Sequence, residues 1–159
     1  MITKEEILEK LEEVKDPEIP KLSVVELGVI TDIDIKENDV KITMTPTFAG
    51  CPALDVMQKD IKNAVSELPV DNVEVNVSFD KSWNSNMITE RGKQILKESG
   101  FAPPPNHNGV FQIDIFNKVK CPFCESENTK LQTPFGPTLC RAIHYCNNCH
   151  QAFEQFKPV

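Results

Sequence analysis

Ile7, Leu8, Leu11 and Val14 recur at helical spacing behind Thr3 and Glu6. That pattern predicts an amphipathic helix opened by a capping box at Thr3. Asp16-Pro17 is expected to end it, because proline disfavours helical backbone in the residue before it. "DPEIPKL" then reads as an extended turn. Beyond it the period drops to two. Ile33 and Ile35 alternate with Asp32, Asp34 and Lys36; after Glu37-Asn38-Asp39, Val40, Ile42 and Met44 alternate with Lys41 and Thr43. Two such runs around a short polar turn predict a β-hairpin that buries one face. Leu54, Met57, Ile61, Ala64, Val65 and Leu68 return to helical spacing. Val73, Val75, Val77 and Phe79 predict a third strand. "ITERGKQILKESG" predicts a third helix, capped by Thr89 and stopped at Gly100.

The order α-β-β-α-β-α places helices over one face of a small, partly antiparallel sheet, an α+β two-layer domain over residues 1–100. "FAPPPNHNG" then stops regular structure. A linker is expected over 101–119, with "VFQIDIF" able to form a short strand inside it, and a small second domain over 120–159.

The 159 residues suit one ordinary domain or two small ones. No apolar run is long enough to span a bilayer. The N-terminal stretch is acidic and amphipathic, unlike a secretory leader. A cytoplasmic protein is therefore expected, with no membrane contact. Residues 1–100 carry 12 Lys/Arg against 20 Asp/Glu, and residues 121–159 carry 3 of each. Neither part offers the basic stripe that phosphate contacts need, so nucleic acid is not an expected partner.

In a reducing compartment, six cysteines point to metal ligands or reactive thiols rather than disulfides. "CPFC" supplies Cys121 and Cys124, and "CNNC" supplies Cys146 and Cys149. Two residues between cysteines allow a tight turn that aims both sulfurs at one ion, and two such turns complete a tetrahedron. The ligands predict a closed structural site, with zinc expected and a rubredoxin-like iron also compatible. About forty residues bury too little to fold alone, so the metal would supply much of the folding free energy. Cys140, His144 and His150 exceed what one ion needs. They are expected to be a small packed thiol and two solvated imidazoles.

Cys51 stands apart from the others. With Pro52 as first helical residue, Cys51 would be the N-cap of the second helix, its sulfur beside unpaired N–H groups that favour a thiolate. Gly50 would let the chain turn, and Thr45 and Thr47 offer hydroxyls. A small buried residue capping a helix is the equally weighted alternative. All three histidines lie beyond residue 100, which argues against a Cys-His catalytic pair here. Asp16 and Glu18 supply nearby carboxylates, although Asp before Pro usually serves a turn.

"DPEIPKLSVVELGVI" and "TMTPTFAGCPALDVM" resemble the MIP18 family, also called the domain of unknown function 59. "WNSNMITERGKQILKESGFAPP" and the tail "CPFC…LCRAIHYCNNCHQAFEQFK", with Phe153, Phe156 and Lys157, resemble the PaaD (PaaJ) branch of it, accessory to phenylacetyl-CoA ring epoxidases. The likeness implies an iron–sulfur cluster assembly or delivery factor, not an enzyme. It implies that Asp16, Glu18, Thr47 and Cys51 handle iron or a cluster, with Cys51 as the transient ligand. Where the family has a second threonine after Thr47, this chain has Phe48. The implied partner is an apo iron–sulfur reductase or another epoxidase component. One thiolate cannot close a cluster site, so a homodimer or client complex is expected to bring further ligands. A structural or adaptor component that never handles iron is the alternative.

Overall fold

A computed structural model describes residues 1–108 and 119–158. The chain divides into two compact units, Met1–Trp83 and Asn84–Val159. The short strand expected at "VFQIDIF", and with it most of the expected linker, lies outside the described residues.

In the first unit, helix α1 spans Lys4–Leu11. The Glu6 N–H donates to Thr3 Oγ1 at 3.2 Å, and the Thr3 N–H donates to Glu6 Oε2 at 2.9 Å, the reciprocal capping box read from the sequence. The helix stops well before Asp16-Pro17. The reason is tertiary: Lys15 bridges Ser23, and the Asp16 N–H donates to the Leu22 carbonyl at 2.8 Å, so the chain has already left the helix to pair with the following loop. Ile7 and Leu11 are fully buried, whereas Leu8 is exposed.

Strands β1 (Ile30–Lys36) and β2 (Asp39–Met44) form the antiparallel hairpin. Helix α2 (Leu54–Val65) returns the chain to β3 (Asn72–Val77), which lies parallel to β2. The register sets Ile33 opposite Ile42, Ile42 opposite Val75 and Val40 opposite Val73. One-in-two alternation therefore becomes a single apolar sheet face. Ile42, Met44, Met57, Ile61 and Val65 are essentially inaccessible; each such side chain contributes about 1.5–3 kcal/mol by leaving water. The sheet ends sooner than the alternation suggested. The Ser78 N–H still reaches the Met44 carbonyl at 2.9 Å, but Thr45 turns away to donate to Val29 O at 2.8 Å. Phe79 consequently has no strand to pair with and is 59% exposed.

In the second unit, a 3-10 turn (Ser85–Met87) leads to α3 (Glu90–Glu98), capped by Thr89 Oγ1 accepting the Gly92 N–H at 3.0 Å. Gly100 follows at φ +85°, the left-handed position that lets a helix end without a Cβ penalty. Strands β4 (Phe101–Ala102), β5 (Thr129–Thr133), β6 (Arg141–Cys146) and β7 (Ala152–Phe156) form a sheet ordered β4-β7-β6-β5. In this ribbon β5, β6 and β7 pair antiparallel, and β4 adds in parallel to the edge of β7. Its apolar centre is Ala102, Val119, Phe153 and two of the cysteines, Cys121 and Cys146, with Cys124 and Cys149 packed against them.

Candidate functional site

The Cys51 loop begins at the buried Thr45, whose hydroxyl lies 3.4 Å from that of Thr31. Thr31 sits at an irregularity in β1, and its hydroxyl also donates to the Thr43 carbonyl at 3.2 Å. The Cys51 N–H donates to Phe48 O at 3.2 Å, and the Cys51 carbonyl accepts the Leu54 N–H at 3.2 Å. Pro52 and Ala53 therefore occupy a tight turn. The N-cap of α2 is Ala53, which caps with no side-chain hydrogen bond. Cys51 is not the N-cap: an i to i+3 bond forms first and delays the helix to Leu54. Nor does Gly50 supply special backbone freedom. Positive φ among the described glycines belongs to Gly28 and Gly100, and a Cβ on Gly50 would meet the Phe48 ring at 3.9 Å, an ordinary contact. Cys51 is half-buried and outside any disulfide, and Thr47 is half-buried.

Asp16 is buried, and its Oδ1 accepts the N–H groups of Glu18 at 2.7 Å and Ile19 at 2.9 Å. That is the turn role usual for Asp before Pro. Glu18 is half-buried. Next in the chain, Ser23 and Glu26 form a second capping box: the Ser23 N–H donates to Glu26 Oε2 at 2.9 Å and the Glu26 N–H to Ser23 Oγ at 3.1 Å. Its S-x-x-E signature was present in "SVVE". A cavity of about 580 Å³ in this unit is lined by Asp55, Gln58, Lys59, Lys62 and β3, and Cys51 is not part of its lining.

In the second unit, Cys121, Cys124, Cys146 and Cys149 bring their sulfurs within 4.8 Å of one another. Cys121 and Cys149 sulfurs are 3.7 Å apart, and those of Cys124 and Cys146 3.5 Å. Metal–sulfur bonds of about 2.3 Å at tetrahedral angles set sulfurs about 3.8 Å apart, so the quartet fits one ion. Among the described residues it is the group of three or more His, Cys, Asp or Glu able to share one; Asp16, Glu18 and Cys51 do not form such a group.

The two knuckles repeat one backbone pattern. The Glu125 N–H donates to the Cys121 carbonyl and the His150 N–H to the Cys146 carbonyl, each at 2.9 Å. Glu125 and His150 both hold φ 61°. The Cys121 N–H reaches Ser126 O at 3.0 Å, and the Cys146 N–H reaches Gln151 O at 2.9 Å. His150 is therefore the left-handed residue that closes a knuckle. It is exposed, as expected, with its Nδ1 3.3 Å from the Tyr145 hydroxyl.

His144 differs from expectation. It is 1% exposed, stacks on Phe153, and sets Nε2 2.8 Å from Gln155 Oε1. Burial lowers its pKa, with the Gln155 bond opposing. Strand pairing of β6 with β7 places it opposite Phe153, which periodicity alone did not show. Cys140 is half-buried, its sulfur 3.0 Å from the Thr138 hydroxyl, outside the quartet.

The thiols of the quartet are unequal. The Asn148 side-chain amide, first among the causes, holds Cys124 down to about 6. Burial pushes Cys149 up to about 12. Four sulfurs this close ionise together only around a cation, which is what the donor set is suited to hold.

Comparison with known proteins agrees with this division. Residues 4–77 match the family model described as iron-sulfur cluster assembly protein, and residues 108–157 match the PaaD zinc beta ribbon domain. A protein of Escherichia coli, provisionally named as one of the subunits of a 1,2-phenylacetyl-CoA epoxidase, is 32% identical over 97% of this chain and 92% of its own. An Fe-S protein maturation auxiliary factor of Porphyromonas gingivalis is 36% identical over 62% of this chain and 92% of its own. A solved domain of unknown function 59 from Bacillus anthracis is 33% identical, covers 58% of this chain and 89% of its own, and superposes with a TM-score of 0.55. The chain belongs to the iron–sulfur cluster assembly family of the domain of unknown function 59, in the form that carries a PaaD zinc ribbon.

Proposed function

We propose that this protein is a non-catalytic assembly factor that hands iron or an iron–sulfur cluster to an apo-protein through Cys51. The client we favour is the iron–sulfur reductase component of a phenylacetyl-CoA ring epoxidase, in the cytoplasm. The observation that carries this is the separation of thiols. Four cysteines gather their sulfurs in the tail, while Cys51 sits half-buried on a loop of the assembly module, outside that group. The likeness of nearly the whole chain to an epoxidase component supports the choice of client. The tail site, Cys121, Cys124, Cys146 and Cys149, is assigned to structural zinc.

In this reading Cys51 supplies one thiolate to the cargo. The remaining ligands come from the client or from a second copy of the chain, since one thiolate leaves a cluster's other positions open. Thr47 and Glu18 are the residues proposed to offer oxygen donors to the cargo. Asp16 acts by holding the turn that carries Glu18 and Ile19.

A second reading follows from the relative's name as an epoxidase component: the chain would stabilise the complex and leave iron alone. One experiment separates the two. The full-length zinc-loaded protein is reconstituted anaerobically with iron and sulfide, then incubated with apo-reductase, and iron in the re-isolated reductase is measured. Wild type should raise it, and Cys51→Ser should leave it at the level without the protein. Equal transfer by Cys51→Ser would overturn the assignment and favour the adaptor.

A further inference from the structure

The two knuckles of the metal quartet share a backbone, but their inner residues differ. Phe123 stands between the cysteines in one and Asn148 takes the matching place in the other. A phenyl ring has no N–H to give, whereas an amide has two. Asn148 Nδ2 donates across the site to Cys124 Sγ at 3.5 Å. The Asn before it has a different task. The Asn147 N–H donates to Asn128 O at 2.9 Å, and its Nδ2 to Asn128 Oδ1 at 3.0 Å, which tethers the knuckle to the chain just ahead of β5.

Cys121 and Cys146 are buried, while Cys124 and Cys149 are half-buried. An attacking reagent therefore reaches the outer pair, and gross burial class does not choose between them. The N–H···S bonds do. The Ser126 N–H serves Cys124 as the Gln151 N–H serves Cys149, so the Asn148 amide is the extra donor on Cys124. It draws electron density from the sulfur that receives it. We infer that Asn148 is a positioning residue for the metal site, which quiets the Cys124 thiolate and leaves Cys149 as the ligand where loss of the metal begins. The assignment rests on the quartet holding a metal, and its test checks that first.

The test uses the full-length chain loaded with zinc and, in parallel, with cobalt. Limiting iodoacetamide transfers its carbon to sulfur: a C–S bond forms, the C–I bond breaks and iodide leaves. Modified peptides are quantified by mass spectrometry, and released zinc by a colorimetric chelator. In wild type, Cys149 should be modified in clear excess over Cys124. In Asn148→Ala the Cys124 rate should rise about tenfold, the low end of effects that partners of metal ligands exert. The sulfur-to-cobalt charge-transfer band should move to lower energy. Asn148→Asp, which keeps the shape and removes the donor, should move both readouts the same way. Asn147→Ala should weaken the tether yet leave the Cys149-to-Cys124 ratio and the band unchanged. Equal modification of the two cysteines in wild type would overturn the inference. So would a ratio untouched by Asn148→Ala, or one shifted equally by Asn147→Ala. A wild-type chain that takes up neither metal would instead overturn the metal assignment itself.

Discussion

Around Cys121, four sulfurs lie within 4.8 Å of one another and form part of the ribbon's own core. Around Cys51, no such set exists among the described residues, and the apolar core of that unit is built from Ile, Leu, Val and Met instead. The difference shows how the count of neighbouring ligands divides the work of one residue type. A complete thiolate set closes a site and stabilises the fold, leaving no open position for transfer. In the proposed reading a single thiol adds little to stability and serves a cargo that a partner's ligands complete.

The sharpest way to break the comparison is to remove one member of each set. Cys146→Ser in the tail, or a strong chelator, should abolish metal binding and unfold the ribbon. Structural zinc sites contribute about 10–16 kcal/mol of apparent binding free energy. Hydrogen exchange should show β5, β6 and β7 losing protection while β1, β2 and β3 keep theirs. Exchange lost equally in both units would show that the first does not stand on its own core.

A smaller effect separates the turn role of Asp16 from a role in chemistry. Asp16→Ala removes the acceptor of two backbone N–H groups and should cost about 1–3 kcal/mol in denaturant unfolding. Asp16→Asn keeps an acceptor oxygen and should recover most of it. If Asp16→Asn is as stable as wild type yet fails to deliver iron, the carboxylate itself takes part.

His144 gives the ribbon a pH dependence of its own. Its folded pKa lies below the usual imidazole value because burial disfavours the cation. As pH falls through about 6.5, the unfolded chain takes up a proton that the folded chain refuses. Stability is therefore lost toward acid, by less than about 1.4 kcal/mol per pH unit. Comparing His144→Gln with wild type between pH 5 and 7, at fixed free zinc, cancels the contribution of the thiolates. Parallel slopes in the two proteins would remove His144 from the account.

The smallest effect belongs to Cys51. Cys51→Ser should change stability by less than about 0.5 kcal/mol, because the half-buried thiol spans no disulfide and closes no site. Metal content should not change. A large loss of stability would mean that Cys51 serves packing, and the contrast with the tail would disappear.

Much of the first unit was legible because its signals are local. The Thr3 capping box and the alternation through Ile33 to Met44 each lie within a few residues of chain, and each formed; so did the Thr89 cap in the second unit. The ends of elements were less legible, since they depend on partners far along the chain. α1 ends at Leu11, ahead of the Lys15–Ser23 bridge, β3 ends where β2 runs out, and α2 starts late because Leu54 bonds back to Cys51. β6 hid its strand character, as its residues are buried or half-buried on both faces and do not alternate with polar ones.

The sequence by itself singled out the four cysteines that gather in the tail, because two CxxC turns set their sulfurs locally, and it determined the α+β order, because apolar periodicity is a property of neighbours. Only the tertiary structure decided what lies around those ligands. Strand pairing turned His144 inward, and the matched knuckles gave His150 its left-handed backbone. The approach of one knuckle to the other brought the Asn148 amide to the Cys124 sulfur. The His144–Phe153 pairing and the Asn148–Cys124 contact join residues nine and 24 positions apart, and no spacing rule encodes them.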